Sequence, residues 1–177
     1  TSLVISTNTR NTSEGGATAS YSIKLRSEPT SDVTITINSS DTSEGTVNPA
    51  SLTLTSSNWN SPQTVTITGV NDNVVDGDKS YAINFSSASS DSNYQDLSGS
   101  VVVKNEDDDT NGLVISTITG NTSEGGATAS YSIKLRSEPT SDVTITINSS
   151  DTSEGTVNPA SLTLTSSNRN SPQTVTI

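Results

Sequence analysis

Cysteine, histidine and methionine are all absent from the 177 residues of this chain. Without thiols there is no disulfide framework, and neither a thiolate nor an imidazole metal site can form. The nucleophile–histidine pairs of hydrolases fall to the same absences. A chain without methionine is expected to be a mature form or an excerpt, not an intact translation product. Hydrophobic residues make up 28% and aromatic residues 3%, so any core must be lean. No apolar run approaches the roughly 18 residues of a membrane span, and no signal-peptide pattern is present, so membrane insertion is not expected. Positive charge is also scarce: 8 Lys and Arg stand against 19 acids, a net charge of -11. Nucleic acid, whose phosphates would be repelled, is therefore not an expected partner. Metal cations, or solubility alone, suit that balance.

What is present is repetition. The stretch LVIST at Leu3 recurs at Leu113, a period of 110 residues, and Asn11 to Asn58 recurs letter for letter as Asn121 to Asn168. Across the overlap that starts at Leu3, the differences are Asn8 against Ile118, Arg10 against Gly120, and Trp59 against Arg169. A period this long is a whole domain, not a solenoid unit of roughly 20–50 residues. Residues 1–109 are expected to form one complete repeat. Residues 110–177 are a second copy, truncated after its fifth strand, and the chain reads as a window on a longer tandem array.

Within each copy apolar residues alternate with polar ones at period two, the spacing of a half-buried strand. Ala17, Ala19, Tyr21, Ile23 and Leu25 share one face of ATASYSIKLR, as Val33, Ile35 and Ile37 do in DVTITIN. Leu52 with Leu54, Val65 with Ile67, Tyr81 with Ile83 and Phe85, and Val101 with Val103 continue the pattern, and LVIST precedes it. Threonine on the outward faces suits a pleated surface. Connections such as NTSEGG, SEPTSD and SSNWNSPQ are rich in turn-forming residues, and no stretch has a helical period. The pattern predicts an all-β fold: a seven-stranded immunoglobulin-like β-sandwich repeated in tandem, its second copy incomplete.

If each strand reverses the one before it, the connections after the first, third and fifth strands share a pole with the exit of the seventh. Glu14 then follows the first strand, Asp41 and Glu44 the third, Asp72, Asp76 and Asp78 the fifth, and Glu106 to Asp109 the seventh. At about 5 Å and an effective dielectric near 20, each like-charge pair costs on the order of 3 kcal/mol. A divalent cation reverses the sign of that effect. Ca²⁺ tolerates irregular all-oxygen donors, whereas Mg²⁺ demands an octahedron and Zn²⁺ favours His or Cys. The expected ligands are Glu14, Asp41, Asp72, Asp76, Asp78, Asp107, Asp108 and Asp109, with Glu44 and Glu106 as bystanders. Glu124 and Asp151 are the second-copy counterparts of Glu14 and Asp41.

The same positions carry a resemblance. SEGG before the second strand, SSD after the third, VNDNVVDGDKSY after the fifth and VVVKNEDDD at the close together resemble the Calx-beta domain. The resemblance covers Leu3 to Asp109 and the second copy as far as it goes. It implies a seven-stranded sandwich with Ca²⁺ at one tip, and it adds Asn71 to the ligand set. Asn71 and Asn73 stand where acids are usual in calcium-binding members, and Gly77 where an acid often falls. Fewer charges imply weak binding, in the ~10⁻⁴–10⁻³ M range of extracellular modules.

On this reading the chain is a structural repeat of an extracellular adhesin or filament at the cell surface, a rod stiffened by Ca²⁺. Neighbouring repeats and identical chains in a filament are the expected partners, with Arg169 contacting Asp109 or Glu106 where repeats meet. One alternative is a glycan-binding surface module in which Trp59 stacks on a sugar. Another is a polymer subunit completed by strand donation from a neighbour. Enzymatic activity is not expected, because the paired carboxylates lie on loops without apolar cleft residues to tune them.

Overall fold

The computed structural model describes residues 2–7 and 10–177, and every regular element among them is a β-strand. The chain forms two compact units. One runs up to Asp72 and resumes over Asp76–Asp108, and the other combines Asn73–Val75 with Asp109–Ile177.

The first unit is an immunoglobulin-like sandwich of two sheets. Its strands are β1 (Leu3–Ile5), β2 (Thr12–Ser13), β3 (Thr18–Leu25), β4 (Val33–Ser39), β5 (Gly45–Asn48), β6 (Ser51–Leu54), β7 (Gln63–Gly69), β8 (Lys79–Ser89) and β9 (Ser98–Glu106). One sheet has the order β1-β3-β7-β5 and the other β2-β9-β8-β4-β6. Alternation fills the space between them. Ala19, Tyr21, Ile23 and Leu25 of β3, with Val65 and Ile67 of β7, share one core with Val33, Ile35 and Ile37 of β4 and with Tyr81, Ile83, Phe85 and Val103 of β8 and β9. Each such burial contributes roughly 1.5–3 kcal/mol.

The seven expected strands are joined by two short ones, β2 and β5. β2 is polar and β5 holds a single apolar residue, Val47, so alternation of apolar residues could not mark them. β2 runs parallel to the end of β9 and β5 runs antiparallel to β7. Ala17, expected inside, is exposed because it closes the turn in which the Gly16 amide donates to the Ser13 carbonyl at 3.1 Å. Trp59 is half-buried and packs against the first core, its carbonyl accepting from the Leu25 amide at 2.9 Å.

In the second unit β10 (Leu113–Ile115), β11 (Ser130–Leu135) and β14 (Gln173–Thr176) form one sheet, and β12 (Val143–Thr146) with β13 (Ser161–Leu164) another. Ile133, Leu135, Ile147, Leu164 and Val175 make its smaller core. Val74 bridges Glu138 in parallel, and the Glu138 amide donates to the Asn73 carbonyl at 2.6 Å. Arg169 pairs with Glu138 at 3.6 Å, in place of the expected Asp109 or Glu106. Backbone geometry explains the substitution: the Leu135 amide bonds the Arg169 carbonyl at 3.0 Å, which sets residue 169 beside the loop that follows β11.

Tyr21 is 2% exposed, its hydroxyl has no hydrogen-bond partner among the described residues, and burial pushes its pKa up from 10.0 to about 12. A folded-state pKa above the unfolded one gives a contribution that is intact below pH 10 and lost as the pH climbs toward about 12. A buried hydroxyl without a partner costs roughly 1–3 kcal/mol. Tyr21→Phe should therefore raise the unfolding free energy at pH 7 by about 1 kcal/mol, and should remove part of the alkaline loss. Denaturant unfolding at neutral and alkaline pH measures both; a less stable variant at pH 7 would refute the assignment.

Candidate metal centre

Strand register, not the acids themselves, brings the acidic loops together. Asn105 of β9 lies opposite both Lys79 of β8 and Thr12 of β2, and Gly45 of β5 lies opposite Gly69 of β7. The loops that leave these strands are then joined by backbone bonds. The Glu14 amide donates to the Glu106 carbonyl at 3.0 Å and the Val70 amide to the Glu44 carbonyl at 3.0 Å.

Under the loops lies a neutral polar floor. The buried Asn105 amide nitrogen donates to the Val70 carbonyl at 3.0 Å and to the Glu44 carboxylate at 3.5 Å. Its carbonyl accepts from the Thr12 hydroxyl at 3.1 Å, and that hydroxyl lies 2.9 Å from the Tyr81 hydroxyl. Two glycines make room. A Cβ at Gly45 would collide with the Tyr81 ring, and one at Gly69 with Asn105 and the Ser13 backbone.

The acids sort into three sets. Carboxylate oxygens of Glu14 and Asp72 lie within 4.8 Å of each other, and Glu14 is only 7% exposed. Asp108 is close by, with Oδ2 3.0 Å from where a Cβ on Gly15 would stand. The second set is a hydrogen-bonded knot. Asp107 accepts from the amides of Asp76 and Gly77 at 3.1 and 2.7 Å, and the Asp107 amide donates to Asp78 at 3.1 Å. Lys104 pairs with Asp78 at 2.6 Å and Lys79 with Asp76 at 3.4 Å. The Lys104 hydrogen bond and then the Asp107 amide hold the Asp78 carboxyl below its ordinary value.

The third set is local. Asp41 is exposed and caps its own turn, accepting from the Ser43 amide at 3.0 Å, and the Ser43 side chain and amide lower its pKa. Asn71 is exposed on the loop after β7. In the second unit Asp151 repeats the Asp41 turn with Ser153, and Glu124 is exposed. Glu44, expected as a bystander, rests against the floor through its bond from Asn105. Desolvation raises its pKa, the Asn105 bond opposes this, and Asp76, Asp41 and Asp72 add repulsion.

Thr12 and Asn105 escaped the sequence reading. A signal existed: Asn105 continues the inward parity of Val101 and Val103, so an amide was being placed in a core position.

Acids at the opposite pole are used differently. Asp91 is buried and accepts from the amides of Thr30 and Asn93 at 2.8 and 2.9 Å, bonds that lower its pKa. Beside it the buried Tyr94 donates its hydroxyl to the Ser27 carbonyl at 2.8 Å.

Neither a family model nor a curated protein matches the chain. Solved structures resemble it. The periplasmic chaperone SfaE matches with a TM-score of 0.46 and 8% identity, over 75% of this chain and 92% of that one. The E. coli chaperone DraB matches at 0.40 and 11%, over 99% and 84%, and domains 5–6 of the S-layer protein SbsC at 0.34 and 14%, over 99% and 81%. At these identities and scores the likeness carries no argument about this chain's ligands or role. The protein is an all-β immunoglobulin-like sandwich module.

Replacing Asn105 by Ala should cost the first unit roughly 1–3 kcal/mol, because the Val70 carbonyl and the Thr12 hydroxyl each lose a bond in a buried setting. Denaturant unfolding would detect this; an unchanged midpoint would mean that the floor does not hold the pole together.

Proposed function

We propose that the chain is a run of structural repeats from an extracellular, cell-surface array, and that the acidic pole of a complete repeat binds Ca²⁺ and stiffens it. The observation that supports this most directly is the approach of the Glu14 and Asp72 carboxylates to within 4.8 Å of each other. Two oxygens bound to one Ca²⁺ at about 2.4 Å can stand at most about 4.8 Å apart. The set therefore fits a shared ion, and its donors are all hard oxygens. Burial adds to the case: a desolvated Glu14 beside other carboxylates favours a compensating charge far more than a solvated one does. The resemblance to Calx-beta domains points the same way.

Glu14 and Asp72 would hold the ion, with Asp108 beside them. Asp107 and Asp78 serve by fixing the loop after β7 to the tail of β9. The ion would supply charge compensation and a rigid link, not chemistry, so the module is read as non-enzymatic. Trp59 is half-buried in the first core, which favours packing over the glycan reading. Neighbouring repeats are the proposed partners.

Thermal unfolding of the full chain in millimolar Ca²⁺ and in chelator tests the proposal. At a tenfold excess over Kd, binding to the native state adds about 1.4 kcal/mol, which is several degrees for a domain of this size. Mg²⁺ should give less, and Glu14→Gln should remove most of the Ca²⁺ effect. Equal midpoints with Ca²⁺ and with chelator would overturn the metal assignment and leave the sandwich untouched.

A further inference from the structure

Just before β10 the chain has its single Asn-Gly step, Asn111–Gly112, and after β7 its single Asp-Gly step, Asp76–Gly77. Both invite one reaction. The glycine backbone nitrogen can attack the side-chain carbonyl carbon of the residue before it and close a cyclic imide. Glycine obstructs that attack least, because it has no Cβ to crowd the nitrogen. The nitrogen must also lose its proton to become a nucleophile, and a nearby cation helps it to do so.

The two glycines are set oppositely. The Gly77 amide donates to the Asp107 carboxylate at 2.7 Å, and Lys79 holds Asp76 at 3.4 Å. An acceptor bonded to an N–H favours the protonated form, so this step is guarded. Asn111 and Gly112 are exposed, and no described residue accepts a hydrogen bond from the Gly112 amide. Comparison of the copies shows what lies beside it. In the first copy Arg26 donates its amide to the Ser2 carbonyl at 3.1 Å and its Nε to the Ser2 hydroxyl at 2.8 Å. In the second copy the Arg136 amide still donates to the Gly112 carbonyl at 2.9 Å. Gly112 offers no hydroxyl, and Arg136 Nε stands 3.7 Å from where its Cβ would be.

We propose that Asn111 is a self-modification site, deamidated by the Gly112 backbone nitrogen, with Arg136 stabilising the negative charge that develops on that nitrogen. A bond forms from the nitrogen to Asn111 Cγ, the Cγ–Nδ2 bond breaks, and ammonia leaves with the proton that Gly112 gave up. Water then opens the imide at either carbonyl, leaving aspartate or isoaspartate at position 111, and the new acid ionises. Water is the sole co-reactant. The chain gains one negative charge and, in isoaspartate, one backbone methylene directly before β10. The change accumulates with time and distinguishes old chains from new.

The full chain, aged in warm, mildly alkaline buffer with chelator, tests this. Peptide mapping by mass spectrometry reads the exchange of NH₂ for OH at each asparagine, and enzymatic methylation reports isoaspartate. Asn111 should convert at least tenfold faster than Asn60 and Asn170, exposed Asn-Ser steps that also face a cation, Lys24 and Lys134. Arg136→Gln should slow the native chain at Asn111 at least threefold, and Arg136→Lys should restore most of that loss. In urea, where the contact is gone, Arg136→Gln and the parent chain should convert at the same rate. Asp76 should gain isoaspartate in urea and not in the native chain. Conversion of Asn111 no faster than that of Asn60 and Asn170 would overturn the proposal, as would an Arg136→Gln chain that is no slower, or equally slowed in urea.

Discussion

The acidic pole depends on a hydrogen-bonded floor that carries no charge of its own. Alternating strand direction delivers carboxylates to one end of the sandwich regardless of whether they repel. What keeps the loops closed against that repulsion is the lattice of Thr12, Tyr81 and Asn105 beneath them, reinforced by backbone bonds from Glu14 to Glu106 and from Val70 to Glu44. Buried hydrogen bonds of this kind are strong because water cannot compete for them. The floor fixes positions, and the charges above it then have to be accommodated.

Comparison of the two poles shows that residue type alone does not assign a role. Asp91 and Glu14 are both buried acids. Asp91 is answered by two backbone amides, and its pKa falls. The acids around Glu44 add repulsion to the burial that raises its pKa. One acid completes a turn, as an amide-rich pocket allows, and the other group concentrates negative field at the chain's exit. Only the second arrangement gains much from a cation.

Alternation made the sandwich legible, since Ile23, Ile35, Ile67 and Ile83 announce their faces in the sequence and all four are buried. Counting strand reversals was enough to gather the loops, because it needs no knowledge of register. Register was the missing information. It decides that Glu14 and Asp72 approach each other while Asp41 turns back on Ser43 and Arg169 turns to Glu138. Polar strands such as β2 were also hidden, for a two-residue element is defined by the partner it pairs with rather than by its own side chains.

The second copy separates what a sequence specifies locally from what it specifies through distant partners. Asp151 forms the same turn with Ser153 that Asp41 forms with Ser43, because every atom of that turn lies within three residues. Glu124 does not reproduce the burial of Glu14, although the flanking letters are the same. Glu14 is covered by the tail of β9, whose backbone takes its amide proton, and that tail arrives about 90 residues later in the sequence. The electrostatic character of the pole therefore depends on the tail of β9 as much as on the acid itself. Glu124, without that cover, is a solvated surface charge, whereas Glu14 is enclosed among other acids.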